Sequence, residues 1–193
     1  MSKATKSGRP TALTCTAYHE AGHVVIAAEL QLPFRHATIV PDEDRGSLGH
    51  MLHELSDFAP DEVNDEQARQ FFERHILCSW GGPIAEAFVA GRHNWRGARG
   101  DEESIKEMAL KFCNGADLEA TAYSNWLYIR AKTILVPLAT WRAVEGVANA
   151  LLEHRQLEAN QLIQIVRDQW LRMDKPSDQE QAALQQRRQS IEG

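Results

Sequence analysis

Residues 14–32 carry demanding side chains on two opposite helical faces: Ala17, Ala21, Val24 and Ala28 on one, His19, His23, Ile26 and Leu30 on the other. A helix of that kind has no side to give to water. The spacing therefore predicts a central helix with the other elements wrapped around it. Pro33 is expected to end it by the preceding residue.

The polar half of that helix reads His19-Glu20-Ala21-Gly22-His23. Side chains four residues apart stand one turn apart on the same face, so His19 and His23 can offer ring nitrogens to one tetrahedral ion. Glu20 lies beside that face, placed to orient and deprotonate a water whose acidity the ion has raised. Gly22 costs roughly 1 kcal/mol inside a helix, so another element or a substrate is expected to approach closely there. A third ligand must come from elsewhere, and His36, His50, His53, His75, His93, Glu86 and Asp101 are all candidates on local grounds. Asp101 reads first as a helix N-cap. Cys15, one turn before His19, is read as outside the site, because a fourth protein ligand would close the position that catalysis needs for water.

Beyond the first helix the pattern gives a short strand at 37–41, a turn, and a weaker strand at 47–55 in which Gly46 and Gly49 signal a bend or a close backbone approach. A helix over 61–80 is expected to break at Gly81-Gly82-Pro83 and restart through 90. A polar loop at 91–100 and helices over 101–115, 116–136, 140–154 and 158–173 follow, the short breaks suggesting a C-terminal bundle. The predicted class is mainly α (α+β), with a small hairpin or sheet near the site. Residues 1–12 are expected to be a flexible arm, 13–173 the domain, and 174–193 a disordered or frayed tail for want of apolar anchors.

The 21 basic residues are outnumbered by 27 acidic ones and form no stripe, which argues against a nucleic-acid partner. No stretch approaches the roughly 20 apolar residues of a spanning helix, so membrane insertion is not expected. Three widely spaced cysteines and a start without an apolar signal segment suggest a cytoplasmic chain.

The stretch from Thr16 through His19-Glu20-Ala21-Gly22-His23 to Val25 resembles the peptidase helix of the FtsH family of zinc metalloproteases, peptidase family M41. Further stretches are similar in the same order: Ala37-Thr38-Ile39-Val40-Pro41 with Gly46-Ser47-Leu48-Gly49, then Gly81 through Gly91, then Leu151 through Ile163. The resemblance implies a helical zincin-like domain. It carries the family's third zinc ligand, an aspartate in a loop-to-helix segment, onto Asp101, within Arg96-Gly97-Ala98-Arg99-Gly100-Asp101-Glu102. Gly100 stands where the family has asparagine, and Arg96 and Arg99 where it has threonine and serine. Glu86 matches a family glutamate near the zinc region.

The implied activity is endoproteolysis by metal-activated water, with Zn2+ on His19, His23 and Asp101 and Glu20 as the catalytic base. Residues 46–53 resemble the family's edge strand, which can align an extended peptide. The resemblance covers most of 11–173 and does not reach the family's membrane anchors or ATPase module. The sequence holds no phosphate loop ending in Gly-Lys-Ser/Thr. The expected substrate is thus a flexible or unfolded polypeptide. Two alternatives stand beside this: a noncatalytic, zinc-stabilised protein-interaction module, and a peptidase subunit served by a separate ATPase partner. A homo-oligomer is a further expectation. In the 91–100 loop Trp95 is a candidate contact for substrate or another subunit, and Arg92, Arg96 and Arg99 are candidates for steering acidic peptide segments, with a plain solvated loop as the other reading.

Overall fold

The computed structural model describes residues 10–41, 49–53, 66–94, 97–172 and 174–192. The expected features at Gly46, Trp95 and Arg96 lie outside these, as does most of the arm before residue 12. Helix α1 (Ala12–Glu29) is central, as its two-faced pattern requires, with Ala17 and every residue from His19 to Ala27 buried. Thr11 caps it, its hydroxyl accepting the Thr14 N–H at 3.1 Å. The helix stops before the limit set by Pro33. Gln31 takes a left-handed φ of 56°, and the Leu32 N–H turns back to the Ala27 carbonyl at 2.8 Å.

The first strand, β1 (Phe34–Thr38), begins as soon as Pro33 is passed, earlier than the 37–41 expected from β-branching alone. It lies in the middle of a three-stranded antiparallel sheet, between β2 (His50–His53) and β3 (Gln156–Glu158). Sequence patterning misses β3, which is only three residues long. Arg155, at φ 69°, turns the chain out of the preceding helix, and buried Leu157 then pairs with Ala37 on the free side of β1.

Helix α2 (Glu66–Ala90) corrects the expected break: it runs unbroken through Gly81, Gly82 and Pro83. Those glycines serve the neighbouring helix. A Cβ on Gly22 would overlap the Gly81 carbonyl, and one on Gly81 would stand 2.6 Å from the Gly22 carbonyl oxygen. The α1 and α2 backbones therefore touch where both lack side chains, and this packing holds α2 helical despite the N–H that Pro83 lacks.

Helices α3 (Arg99–Phe112) and α4 (Asp117–Leu135) pack on α2, and α5 (Leu138–His154) packs on the other side of α1 with α6 (Ala159–Trp170) against it. The result is a mainly helical α+β domain with one small sheet. The segment expected to be a frayed tail instead contains helix α7 (Asp178–Glu192). Polar contacts hold it where apolar ones are scarce. Buried Arg142 meets Glu180 at 2.7 Å and Asp174 at 3.3 Å, and the Arg187 guanidinium lies 4.5 Å above the Trp141 ring. Among the described residues no helix is long and apolar enough to cross a membrane.

Candidate metal centre and active site

The helical period brings His19 and His23 together, with ring centroids 4.8 Å apart. Both lie over Gly82 of α2, where a Cβ would overlap the rings. The glycine that resembled a helix break makes room for imidazoles. Asp101 arrives from across the chain. It sits in the first turn of α3, three residues past the cap position at Ala98, so it is a helical residue and not the expected N-cap. With capping not required of it, its carboxylate faces the histidines: Oδ2 lies 3.0 Å from His19 Nε2 and Oδ1 lies 3.4 Å from His23 Nε2.

One donor atom from each of His19, His23 and Asp101 lies within 4.8 Å of the others, and they form the metal-binding group found among the described residues. The opposite ring nitrogens are committed elsewhere. His19 Nδ1 is 3.1 Å from Glu86 Oε2, and His23 Nδ1 is 2.8 Å from the Cys78 carbonyl oxygen. A carboxylate and a carbonyl both require a donor, so each Nδ1 carries a proton and each Nε2 is left facing Asp101, where a bound metal would replace the proton shared with that carboxylate. Two neutral imidazoles and a carboxylate, with tautomers fixed from behind, suit zinc and leave a coordination position open.

The electrostatics express the same crowding. Burial opposes a positive charge on His19, but the hydrogen bonds it donates to Asp101 and Glu86 outweigh it and raise its pKa to about 9. Burial is likewise overcome at His23, which the Asp101 charge lifts well above its ordinary value. Asp101 is held far below the usual carboxylate range, burial notwithstanding, by the two histidines. Without a metal, the cluster thus holds itself together with protons.

Glu20 is buried at 4% exposure, and its Oε2 has no hydrogen-bond partner. Burial raises its pKa, against the pull of His19 and His23. Gly49, the residue before β2, closes over it: a Cβ there would stand 3.1 Å from Glu20 Oε1 and 2.7 Å from the Thr38 carbonyl oxygen. The close approach expected at Gly49 is therefore to the acid beside the metal ligands. A cleft of about 1250 Å³ opens over this group, lined also by His50 and Met51 of β2, Ser79 of α2 and Arg92 of the loop after it.

The other candidate ligands go elsewhere. His36 and His50 stack edge to face at 5.5 Å, and His75 bonds the Phe71 carbonyl of its own helix. Glu86 supports His19 from behind, and Asn94 donates to its second oxygen at 2.9 Å. His93 and Cys15 are not in the cluster, and the His53 side chain lies outside what is described. Sequence reasoning missed the Cys78 carbonyl and Asn94. A backbone acceptor leaves no sequence signal, whereas Asn94, eight residues past Glu86, was available to be considered. The positive charge expected at Arg99 is offset by Glu103 at 2.9 Å.

The sequence profile described as peptidase family M41 matches residues 9–115, a stretch that contains every residue of this centre. ATP-dependent zinc metalloprotease FTSH 9, chloroplastic/mitochondrial, of Oryza sativa subsp. japonica is 29% identical over 180 residues, covering 80% of this chain and 22% of that protein. The human ATP-dependent zinc metalloprotease YME1L1 is 31% identical over 182 residues, covering 79% of this chain and 22% of its own length. FTSH 11, chloroplastic/mitochondrial, of Arabidopsis thaliana is 28% identical, covering 78% and 21% respectively. The chain spans between a fifth and a quarter of the length of these relatives.

The chloroplastic/mitochondrial naming of the rice and Arabidopsis relatives overturns the cytoplasmic placement expected from cysteines and hydropathy. Those features report redox chemistry and solvent, not compartment. A profile match over more than half of the chain, centred on a metal site whose ligands come from α1 and α3, shows that the chain belongs to peptidase family M41.

Proposed function

We propose that this chain is a zinc-dependent endopeptidase that hydrolyses peptide bonds in flexible or unfolded polypeptides. The observation that carries the reading is the buried, unpartnered Glu20 oxygen beside three convergent metal ligands. A zinc site serving stability alone has no use for such a group. His19, His23 and Asp101 would hold the ion, which when bound supplies a Lewis acid that polarises a carbonyl and lowers the pKa of water. Glu20, its pKa raised by burial, takes the proton of the attacking water and returns one to the leaving amine. Glu86 behind His19 and the Cys78 carbonyl behind His23 keep the two rings aimed while this happens.

Strand β2 lines the cleft at the edge of the sheet. An extended substrate added along that edge makes main-chain hydrogen bonds whatever its sequence, so the proposed substrate class is defined by extension rather than by a side-chain motif. The rice and human relatives are named as ATP-dependent. No Gly-Lys-Ser/Thr phosphate loop occurs within these 193 residues, so ATP-driven unfolding would be supplied from outside them. Service by a separate ATPase and self-association are partner readings that accompany family membership.

The test is cleavage of an unfolded protein such as casein by wild type and Glu20→Gln, each shown to hold one zinc per chain. Loss of cleavage in the metal-loaded variant is expected. Equal cleavage by both would remove Glu20 from the chemistry, and zinc binding with no cleavage by either would favour the noncatalytic or ATPase-served alternatives.

A further inference from the structure

The loop after α2 holds an exposed asparagine whose side-chain amide is bonded at both its nitrogen and its oxygen. Asn94 Nδ2 donates to Glu86 Oε1 at 2.9 Å, and the other oxygen of Glu86 accepts from His19 Nδ1 at 3.1 Å. On its other side, Asn94 Oδ1 accepts the Gly97 N–H at 3.3 Å, and its backbone carbonyl accepts the Ala98 N–H at 3.0 Å. Ala98 is the buried cap residue of α3, the helix whose first turn carries Asp101. One side chain therefore joins the support of His19 to the start of the helix that delivers Asp101, although the two ligands are 82 residues apart in sequence.

We infer that Asn94 is the positioning residue that makes His19 and Asp101 one metal-binding unit, and that zinc retention depends on the amide it donates to Glu86. A carboxylate bonded at only one oxygen is free to rotate. Bonded at both, Glu86 holds a fixed acceptor toward His19 Nδ1 and so fixes the ring plane that presents Nε2. The Gly97 and Ala98 bonds set where the first turn of α3 begins. Because Asn94 also lines the cleft, the substrate surface and the metal site share this chain of bonds. The inference rests on the zinc site proposed above.

Asn94→Asp separates the two arms. It keeps an acceptor for Gly97 and replaces the donor to Glu86 with a repelling carboxylate. Asn94→Ala removes both arms. Zinc affinity, the visible absorption of the Co2+-substituted protein and the thermal stability of the metal-free form would be measured for each, alone and combined with Glu86→Gln.

The inference expects Asn94→Asp to bind zinc about 10-fold more weakly, with a changed Co2+ spectrum. It also expects Asn94→Asp, which loses only the Glu86 arm, to weaken binding when Glu86 is present and to add little once Glu86 is glutamine. Lower stability with unchanged zinc affinity and an unchanged spectrum would overturn the inference, leaving Asn94 merely structural. Additive losses for Asn94→Asp in the Glu86→Gln background would overturn it as well. Failure of wild type to bind zinc would instead overturn the reading of the site. If Asn94→Ala does not fold, Asn94→Asp carries the decision.

Discussion

At the scale of the residue, the centre is a competition between protons and metal for the same lone pairs. His19 in the metal-free fold has its pKa raised from 6.5 to about 9. A group raised on folding contributes stability that is fully present below its unfolded value and is lost as pH climbs through the folded one. The metal-free protein is accordingly expected to lose stability between about pH 6.5 and about pH 9, seen as a falling urea midpoint. A midpoint flat over that window would contradict the ion-pair account. Zinc binding at neutral pH is expected to release protons, which calorimetry in buffers of different ionisation enthalpy counts directly. Glu86→Gln, which weakens the acceptor behind His19 without touching a metal ligand, is expected to lower zinc affinity about 10- to 100-fold. Unchanged affinity would mean that Glu86 does not hold the ring.

At the scale of the element, the defining contact is backbone on backbone between α1 and α2 at Gly22 and Gly81. Alanine normally improves a helix by about 1 kcal/mol over glycine. Gly22→Ala is nevertheless expected to destabilise the protein by about 1–3 kcal/mol, because its methyl meets a carbonyl that cannot move without moving α2. Thermal unfolding checks this, and a stabilised variant would show that the helices are free to separate. The same contact explains what the sequence disclosed and what it withheld. His19, Glu20 and His23 were legible because a helical period places side chains without reference to any other element.

Gly81-Gly82-Pro83 was misread as a break because glycine signals either a turn or a close neighbour, and the neighbour is 59 residues away in the chain, from Gly22 to Gly81. Asp101 was placed by resemblance. Its local context suggested a cap, and only the register of α3, which starts at Arg99, shows that capping is not its task. The third strand was illegible for another reason: three residues offer too short an alternation, and its existence depends on the free side of β1.

For the whole molecule, the last helix shows how a polar segment with scarcely any apolar anchors is kept in the fold. Composition alone suggested a tail, since no hydrophobic face announces α7. The anchor is Arg142, buried in α5 and answered by Glu180 and Asp174. The hydrogen bond from Arg142, with donors from Ser177, depresses the Glu180 pKa to about 2. A depressed carboxyl contributes stability above its ordinary value and loses it as pH falls through the folded value. Docking of α7 is therefore expected to weaken as pH falls from about 4.5 toward about 2. The Glu180 carboxyl carbon, followed by NMR, is expected to titrate near 2 in wild type and to return toward 4.5 in Arg142→Gln. Titration unaffected by that substitution would assign the shift to Ser177 instead.

All three scales meet in a claim of position: α1 supplies two ligands and an acid, α2 holds the ligands from behind, and α3 brings the third. Anomalous diffraction at the zinc edge, from crystals of the zinc-loaded protein, tests it most directly. The expected result is one zinc per chain bonded to His19 Nε2, His23 Nε2 and the Asp101 carboxylate, with Glu20 beside the ion and Glu86 still on His19 Nδ1. Zinc on other residues, or Glu86 taking the place of Asp101 as ligand, would contradict the account.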